Sequence, residues 1–577
     1  MNNFQKILKL ADRSDIRNYL ILIFFSMIAI ILETLSIAIV IPLVSIIIKP
    51  DFLNKYQNTE VENYLPDILF SFDHGTLVMV ILVLFGLIFL SKNIYLIFYH
   101  YLVAIFANNL KAKLTSKLLD KYLFQNYLFH INRKFSNFLA NLTTEASHLT
   151  NGILVPSLVL LTELLLILMI FFLIVIFQLY KAIFIFAIFA LVGIFLMKLS
   201  KKYSSIWGNL REIEEKNRIE SLNKLLSGIR DIILIGKKKT LLEKFNFSEN
   251  NVAKYNIKNQ LLIHLPKHIF ETVGVFGLIA SIIFLKITGS STFEILTAAS
   301  FFIATCYRAI PSLNKIITSY QTIKYYFNVV DLLRKELSLP EVIDFSDQKL
   351  NFSEEFKITN LSFKYNNTKE DVLNNINLTI KRNTITGIIG ATGSGKSTLI
   401  DIISGLIKPH RGEISVDDIV LDTPKKIREW QNTLSYVSQN TYLMDDTIKN
   451  NIAFGLNPKE INQELIEESI KNSQLESFIN SLPNKINTYV GDRGVSLSGG
   501  QIQRIGIARA IYRNSDFLIL DEITSALDKD TENKIIKNIT NSYKSKTILI
   551  VTHNTDLLNY CDSIYKTEDQ TLKKLEK

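Results

Sequence analysis

Gly390-Ala391-Thr392-Gly393-Ser394-Gly395-Lys396-Ser397 is the stretch from which this chain can be read. It fits GxxxxGK[ST], in which glycines let backbone N–H groups converge on phosphate oxygens and the lysine meets the β- and γ-phosphates. Ile385 to Ile389 before it reads as a strand and Thr398 to Ile407 after it as a helix, the setting such a loop needs. The candidate phosphate contacts are Gly390, Thr392, Gly393, Ser394, Gly395, Lys396, Ser397 and Thr398, with the Ser397 hydroxyl placed for Mg²⁺.

Downstream, Phe517-Leu518-Ile519-Leu520-Asp521-Glu522 is an uninterrupted apolar run ending in two carboxylates. A strand buried on both faces reads this way, and ligands bind beyond the carboxyl ends of such strands. Asp521 is placed to support Mg²⁺ and Glu522 to polarise an attacking water. The competing reading is a surface acidic pair after a core strand. Between the two motifs lies Leu497-Ser498-Gly499-Gly500-Gln501, opening the helical pattern Gln503 to Ile511. Ser498, Gly499, Gly500 and Gln501 form a second potential phosphate cradle at a helix N-terminus. One chain cannot easily bring two cradles to one γ-phosphate. Two chains arranged head to tail can.

The rest of the chain is of another kind. Of 577 residues 48% are hydrophobic and 37 are Phe, which excludes a disordered or collagen-like chain. Two cysteines, Cys306 and Cys561, exclude a disulfide framework. Apolar runs cover Tyr19–Ile48, Leu77–Leu90 continuing from Ile94 to Phe106, Gly152–Tyr180, Ala182–Met197, Ile269–Leu285 and Phe293–Ile310. A span needs about 20 apolar residues, so these predict six membrane helices, some running on into water. The first run is about twice as long as a signal-peptide core and is expected to be retained. Stretches 107–150 and 198–267 hold 21 Lys and Arg against four in 49–75, 178–181 and 286–292. The positive-inside rule therefore places the two long loops in the cytoplasm. That asymmetry accounts for much of the +10 formal charge without a nucleic-acid partner. Segment 51–70 lies outside, either as an interfacial helix or as a solvated loop.

The chemistry-bearing set resembles the ATP-binding cassette of ABC transporters, whose signature is LSGGQ. The resemblance implies further roles. Tyr365 stands where the family stacks an aromatic ring on adenine, and Gln439 matches the glutamine loop that touches Mg²⁺. Ser525-Ala526-Leu527-Asp528 matches the D-loop, and His553 the switch histidine at the γ-phosphate. Asn554 departs from the arginine common after that histidine. By itself His553 would read as a satisfied core residue; its place after the apolar strand Thr547 to Val551 favours the functional reading.

Six spans followed by one cassette is similar to an ABC exporter half-unit. The expected fold is a membrane all-α six-helix exporter domain over 1–335, a linker over 336–355 and an α/β P-loop ATP-binding cassette over 356–577. The same likeness implies ATP and Mg²⁺ as cofactors, a homodimer with two composite sites, and coupling turns near 123–131 and 224–236. It also implies a multi-pass protein of the bacterial cytoplasmic (inner) membrane with its cassette in the cytoplasm.

For the cargo, Glu33, Lys92 and Glu163 fall inside apolar runs and Arg308 follows the last one. Charges there face a cavity or a partner. Lys92, Lys267, Arg308 and Lys315 are the candidate basic surface for an anionic head such as a pyrophosphate; the alternative is mutual ion pairing between helices. Tyr307 to Tyr320, with Ile31-Leu32-Glu33-Thr34, is similar to PglK-type lipid-linked oligosaccharide flippases. That implies ATP-driven flipping of a polyprenyl-pyrophosphate-linked glycan to the outer face. The alternative is export of lipid A, a peptide or hydrophobic drugs.

Overall fold

The computed structural model describes residues 12–39, 74–176, 180–289, 292–343, 346–365, 368, 370–523, 528–542 and 545–576. Segment 51–70, Val40 to Ile48 of the first run and Ser525-Ala526-Leu527 lie outside them. The chain divides into two compact units. One holds the residues through Leu123 together with Arg133–Leu339; the other holds Phe124–Asn132 together with the residues from Pro340 onward.

The first unit is helical. Its long helices are α1 (Arg13–Ala38) and α2 (His74–Leu123), then, beyond a short helix α3 (Tyr127–Ile131) of the other unit, α4 (Val155–Ile176) and α5 (Tyr180–Ser227). The short α6 (Ile229–Ile235) precedes α7 (Lys238–Ile287), α8 (Thr292–Tyr326) and α9 (Asn328–Leu337). The 50 residues of α2 rise about 75 Å, against a hydrocarbon core of about 30 Å, so such helices carry on well past a bilayer. Among the described residues four helical stretches are long and apolar enough to cross one: Arg13–Ser36, Val78–Leu123, Phe135–Phe172 and Lys238–Ile287. Phe189 of α5 and Phe270 of α7 meet edge to face at 5.8 Å, both fully buried, and Ile317 of α8 joins them.

The second unit carries two sheets. An antiparallel sheet is built from β1 (Glu355–Phe363), β2 (Leu373–Lys381), β4 (Arg411–Val416) and β5 (Ile419–Val420) in the order β2-β1-β4-β5. The other contains β3 (Ile385–Gly390), β6 (Leu434–Val437), β7 (Phe517–Asp521), β8 (Thr547–Val551), β9 (Ser563–Glu568) and β10 (Thr571–Leu575), in the order β10-β9-β3-β8-β7-β6. From β9 to β6 all neighbours are parallel. Every residue of β7 and β8 is buried, as their unbroken apolar sequences require. Parallel register brings the carboxyl ends of β3, β8 and β7 to one edge. Gly390, Val551 and Asp521 are the last residues there, and the phosphate loop, Glu522 and His553 follow them.

Several boundaries differ from the sequence reading. The helix after the phosphate loop, α10 (Lys396–Ile403), stops before Ile407 because Gly405 takes a left-handed φ of 69° that ends the run. The helix after the Ser-Gly-Gly triplet, α11 (Gly499–Tyr512), begins four residues earlier than Gln503 because Ser498 caps it. The expected linker starts inside α9, which runs to Leu337, and ends where β1 begins at Glu355.

Phe124–Asn132, the first expected coupling turn, packs with the cassette unit. Its helix α3 is capped by Asn126, whose side chain accepts from Phe129 N at 2.9 Å. Phe124 O accepts from Val342 N at 2.9 Å and Ile343 N at 3.0 Å, and Leu128 packs on the cluster around Phe363 and Tyr565.

Candidate active site

The phosphate loop is held open by backbone conformation. Gly393 and Gly395 have φ of 83° and 92°, a region costly for any side chain with a Cβ. At Gly390 a Cβ would stand 2.0 Å from Thr567 Oγ1, so only glycine fits between β3 and β9. Thr567, which the motif reading did not single out, also meets Ser394 Oγ at 2.6 Å. Thr392 and Ser397 are exposed at the mouth of the loop, while Lys396 is buried. Lys396 Nζ donates to Gly390 O at 2.8 Å and Ala391 O at 3.0 Å, and stands 3.2 Å from His553 Nε2 and 4.0 Å from Glu522 Oε1. Burial pushes its pKa below the usual lysine value, opposed by the charges of Glu522 and Asp521.

Glu522 is the centre of the cluster. Its Oε2 accepts from Gln439 Nε2 at 2.6 Å and its Oε1 lies 2.8 Å from His553 Nε2. Three residues from three separate sequence regions thus converge on one carboxylate. Glu522 itself has φ of 47°, left-handed and unusual for a non-glycine residue, and such strain gathers at functional positions. The buried Asp521 accepts from the Tyr436 hydroxyl at 3.1 Å. Burial raises its pKa, an effect only partly offset by Tyr436 and Lys396. A carboxylate so placed gains from a cation beside it, and the hard oxygens of Asp521, Ser397 and Gln439 fit Mg²⁺. Tyr436 was not legible as a site residue, because its strand carries no motif.

The other candidates are placed as follows. The Tyr365 hydroxyl and Thr398 Oγ1 are 3.1 Å apart, which fixes the ring beside α10. Ser498 and Gln501 form a capping box: Ser498 Oγ accepts from Gln501 N at 3.3 Å and Gln501 Oε1 accepts from Ser498 N at 2.8 Å. Ser498 and Gly499 remain exposed, so the N-terminus of α11 is presented outward with Gly500 behind it.

In the membrane unit Arg308 pairs with Glu33, and Lys315 Nζ meets Glu163 Oε1 at 2.6 Å. This is the ion pairing between helices that the sequence left open as the alternative to a basic surface. Lys92 Nζ lies 3.9 Å from the centre of the Phe89 ring, and the exposed Lys267 stands 4.0 Å from Glu271.

Comparison with known proteins gives the family and the fold. The family model described as ABC transporter transmembrane region matches residues 19–310, just over half of the chain, and the one described as ABC transporter matches 373–525. The ATP-dependent lipid A-core flippase of Francisella tularensis subsp. holarctica (strain OSU18) is 30% identical over 398 residues, covering 66% of this chain and 63% of that protein. The ATP-dependent lipid A-core flippase of Salmonella typhimurium (strain LT2) is 29% identical over 388 residues, covering 66% and 65%. The chain thus spans a little under two thirds of the length of these relatives. Their names match the alternative cargo of the sequence reading better than a polyprenyl-linked glycan. In fold, the structure of a bacterial Atm1-family ABC exporter with ATP bound superposes with a TM-score of 0.77 at 16% identity, covering 97% of this chain and 94% of that one. With an exporter-type membrane region ahead of a cassette whose GxxxxGKS loop, Asp521-Glu522 pair and His553 meet at one sheet edge, this chain belongs to the ABC transporters.

Proposed function

We propose that two copies of this chain form an ATP-driven flippase in the bacterial inner membrane, moving a phosphate-bearing glycolipid from the cytoplasmic to the outer face. The observation that carries the reading is the convergence of Gln439 and His553 on Glu522 beside Lys396. Glu522 is the general base for the attacking water, His553 and Gln439 hold its carboxylate in place, and Lys396 leaves its loop carbonyls for the phosphates. Mg²⁺, held by Ser397, Gln439 and Asp521, would offset the phosphate charge.

A partner copy has a surface to cover. Helix α6, in the second expected coupling turn, buries none of its residues, and Ile233, Leu234 and Ile235 are 71%, 75% and 67% exposed. Exposed apolar clusters of this kind mark interaction sites.

For the cargo, the relatives named as lipid A-core flippases favour a lipid A-type glycolipid. The likeness of Tyr307 to Tyr320 to PglK-type flippases supports a polyprenyl-pyrophosphate glycan as the second reading. Both carry phosphate and many hydroxyls, each hydroxyl costing several kcal/mol if buried unpaired in hydrocarbon. Proteoliposomes with fluorescent lipid A, polyprenyl-pyrophosphate glycan and peptide separate the cases. ATP-dependent movement of the first supports the main reading, and of the second alone the other. Glu522→Gln is expected to lower turnover by about 10³-fold while nucleotide still binds. Full flipping by that variant would end the proposal.

A further inference from the structure

Glu522 is secured at both ends of its backbone as well as through its side chain. Its N–H donates to Val551 O at 2.8 Å, at the end of β8, two residues before His553. Its carbonyl accepts from Gln503 Nε2 at 3.2 Å. Gln503 lies on α11, two residues after the Ser-Gly-Gly-Gln opening, and is 4% exposed. Its Oε1 is buried with no hydrogen-bond partner among the described residues. Packing alone does not account for a glutamine here. A leucine would fill similar space without burying an unpartnered oxygen, which is normally disfavoured.

The same helix touches the other support of the carboxylate. Gly506, one turn beyond Gln503, lies against Thr441, where a Cβ would come within 2.4 Å of Thr441 Oγ1. Thr441 is two residues past Gln439, whose amide holds Glu522 Oε2. Helix α11 therefore grips the loop bearing Gln439 on one side and the Glu522 carbonyl on the other. Since Glu522 has a left-handed φ of 47°, its peptide is held where an ordinary residue would relax away, and such positions persist only when their surroundings over-determine them.

We infer that Gln503 is a positioning residue for hydrolysis: through the Glu522 carbonyl it makes the aim of the catalytic carboxylate depend on the position of helix α11. This rests on the proposed ATPase reading. In the head-to-tail dimer the N-terminus of α11 meets the nucleotide held by the partner subunit's phosphate loop. Gln503 is then the link by which nucleotide at one composite site sets the carboxylate of the other, and it makes turnover cooperative in ATP.

The test uses the full chain in nanodiscs, with Gln503→Leu and Gln503→Met, both of which keep bulk and remove the donor. Turnover is measured against ATP concentration, nucleotide affinity by a fluorescent ATP analogue, and thermal midpoint by intrinsic fluorescence. The expected result is a fall in kcat of about tenfold, the lower range for loss of an orienting outer contact. KM, analogue affinity and thermal midpoint should stay within twofold or two degrees of the parent, with the Hill coefficient falling toward one. Unchanged kcat and Hill coefficient in either variant overturn the inference. So does a loss of kcat that merely follows loss of affinity or of thermal midpoint, because that is a packing role. Glu522→Gln in the same preparation keeps the two failures apart. If that variant also turns over normally, the ATPase reading falls; if it is inactive while Gln503→Leu is normal, only the role of Gln503 falls.

Discussion

The nucleotide edge of the cassette and the buried junction of the membrane half handle charge in opposite ways. At the cassette edge Gln439, His553 and Lys396 come within 2.6, 2.8 and 4.0 Å of the Glu522 carboxylate, and Glu522 and His553 remain partly open to solvent. In the membrane half Glu145 is 0% exposed, and neither carboxylate oxygen has a hydrogen-bond partner among the described residues. Its nearest cation is Arg211 Nη2 at 3.6 Å. Arg211 is itself held by His148 Nε2 at 3.0 Å and by the Tyr326 ring, on which His148 stacks at 4.3 Å. Glycines make this packing possible: a Cβ on Gly208 would reach Tyr325 O at 1.9 Å, and one on Gly152 the Tyr326 ring at 2.5 Å. Two π-helical turns, Asn141–Glu145 and Thr150–Leu154, bracket the site. The cassette keeps its charges ready to be rearranged by a ligand. The junction locks its charges by burial, where a group that loses its partner has no water to replace it.

The sharpest way to break this contrast is to remove one cation from each region. Lys396→Ala takes away the cation that the proposed ATPase reading brings to the phosphates and is expected to cost about 10³-fold in ATP turnover, roughly 4 kcal/mol, while leaving the thermal midpoint nearly unchanged. Turnover assays with differential scanning fluorimetry read both sides. Arg211→Ala should do the reverse. Glu145 would stay buried without its cation, a loss of about 3–4 kcal/mol seen as a lower unfolding midpoint followed through Trp207, one turn away on α5. Replacing Glu145 and Arg211 together by leucine should recover most of that loss, because a buried pair is worth little against apolar groups of similar size. If Arg211→Ala is as stable as the parent, the junction is hydrated and the contrast fails.

The same contrast explains what could be read from sequence. The phosphate loop and the Asp521-Glu522 pair are contiguous, and each carries its local context of strand, turn and helix in a few residues, so chain order announces them. Tyr436, Thr567 and Gln503 reach the same site from elements whose sequences carry no such mark. They became visible only when parallel pairing set β6 and β9, and helix packing set α11, beside it. In the membrane half the apolar runs announce helices, yet partner choice among charges depends on helix packing. Glu33 and Arg308 lie 275 residues apart and Glu163 and Lys315 lie 152 apart. Hydropathy cannot choose between a cation that lines a path and one that neutralises a carboxylate on the next helix. Arg211 and Glu145 were hidden for a further reason: the stretch around Arg211 alternates charged and apolar residues like any solvated helix, and burial comes from Gly208 and Gly152 on the same helical runs, which let Tyr325 and Tyr326 pack close.

A smaller effect tests the cassette side alone, at a carboxylate that is well served by partners. Asp417, at a left-handed φ of 52°, accepts from the backbone N–H groups of Ser353, Glu354 and Glu355 at 2.8, 2.8 and 2.9 Å. Partial burial pushes its pKa up, but these three donors outweigh it and hold the group below its ordinary 3.8. A depressed carboxylate stabilises the fold above its unfolded pKa, and the stabilisation is lost as pH falls through the folded value. Asp417→Asn keeps a side chain tolerant of that φ but removes the charge and turns one accepting oxygen into a donor, much as protonation would, so the cost at pH 7 is about 1 kcal/mol after solvent screening. The gap between variant and parent should close as pH drops below 3.8. Trp430 is a suitable reporter: it is fully buried and stacked at 5.1 Å on Phe356, the residue after Glu355 in β1. With Trp207→Phe it becomes the sole tryptophan of the two in the chain. A gap that persists unchanged at acid pH would mean that the Asp417 charge contributes nothing and that the loop is held by shape alone.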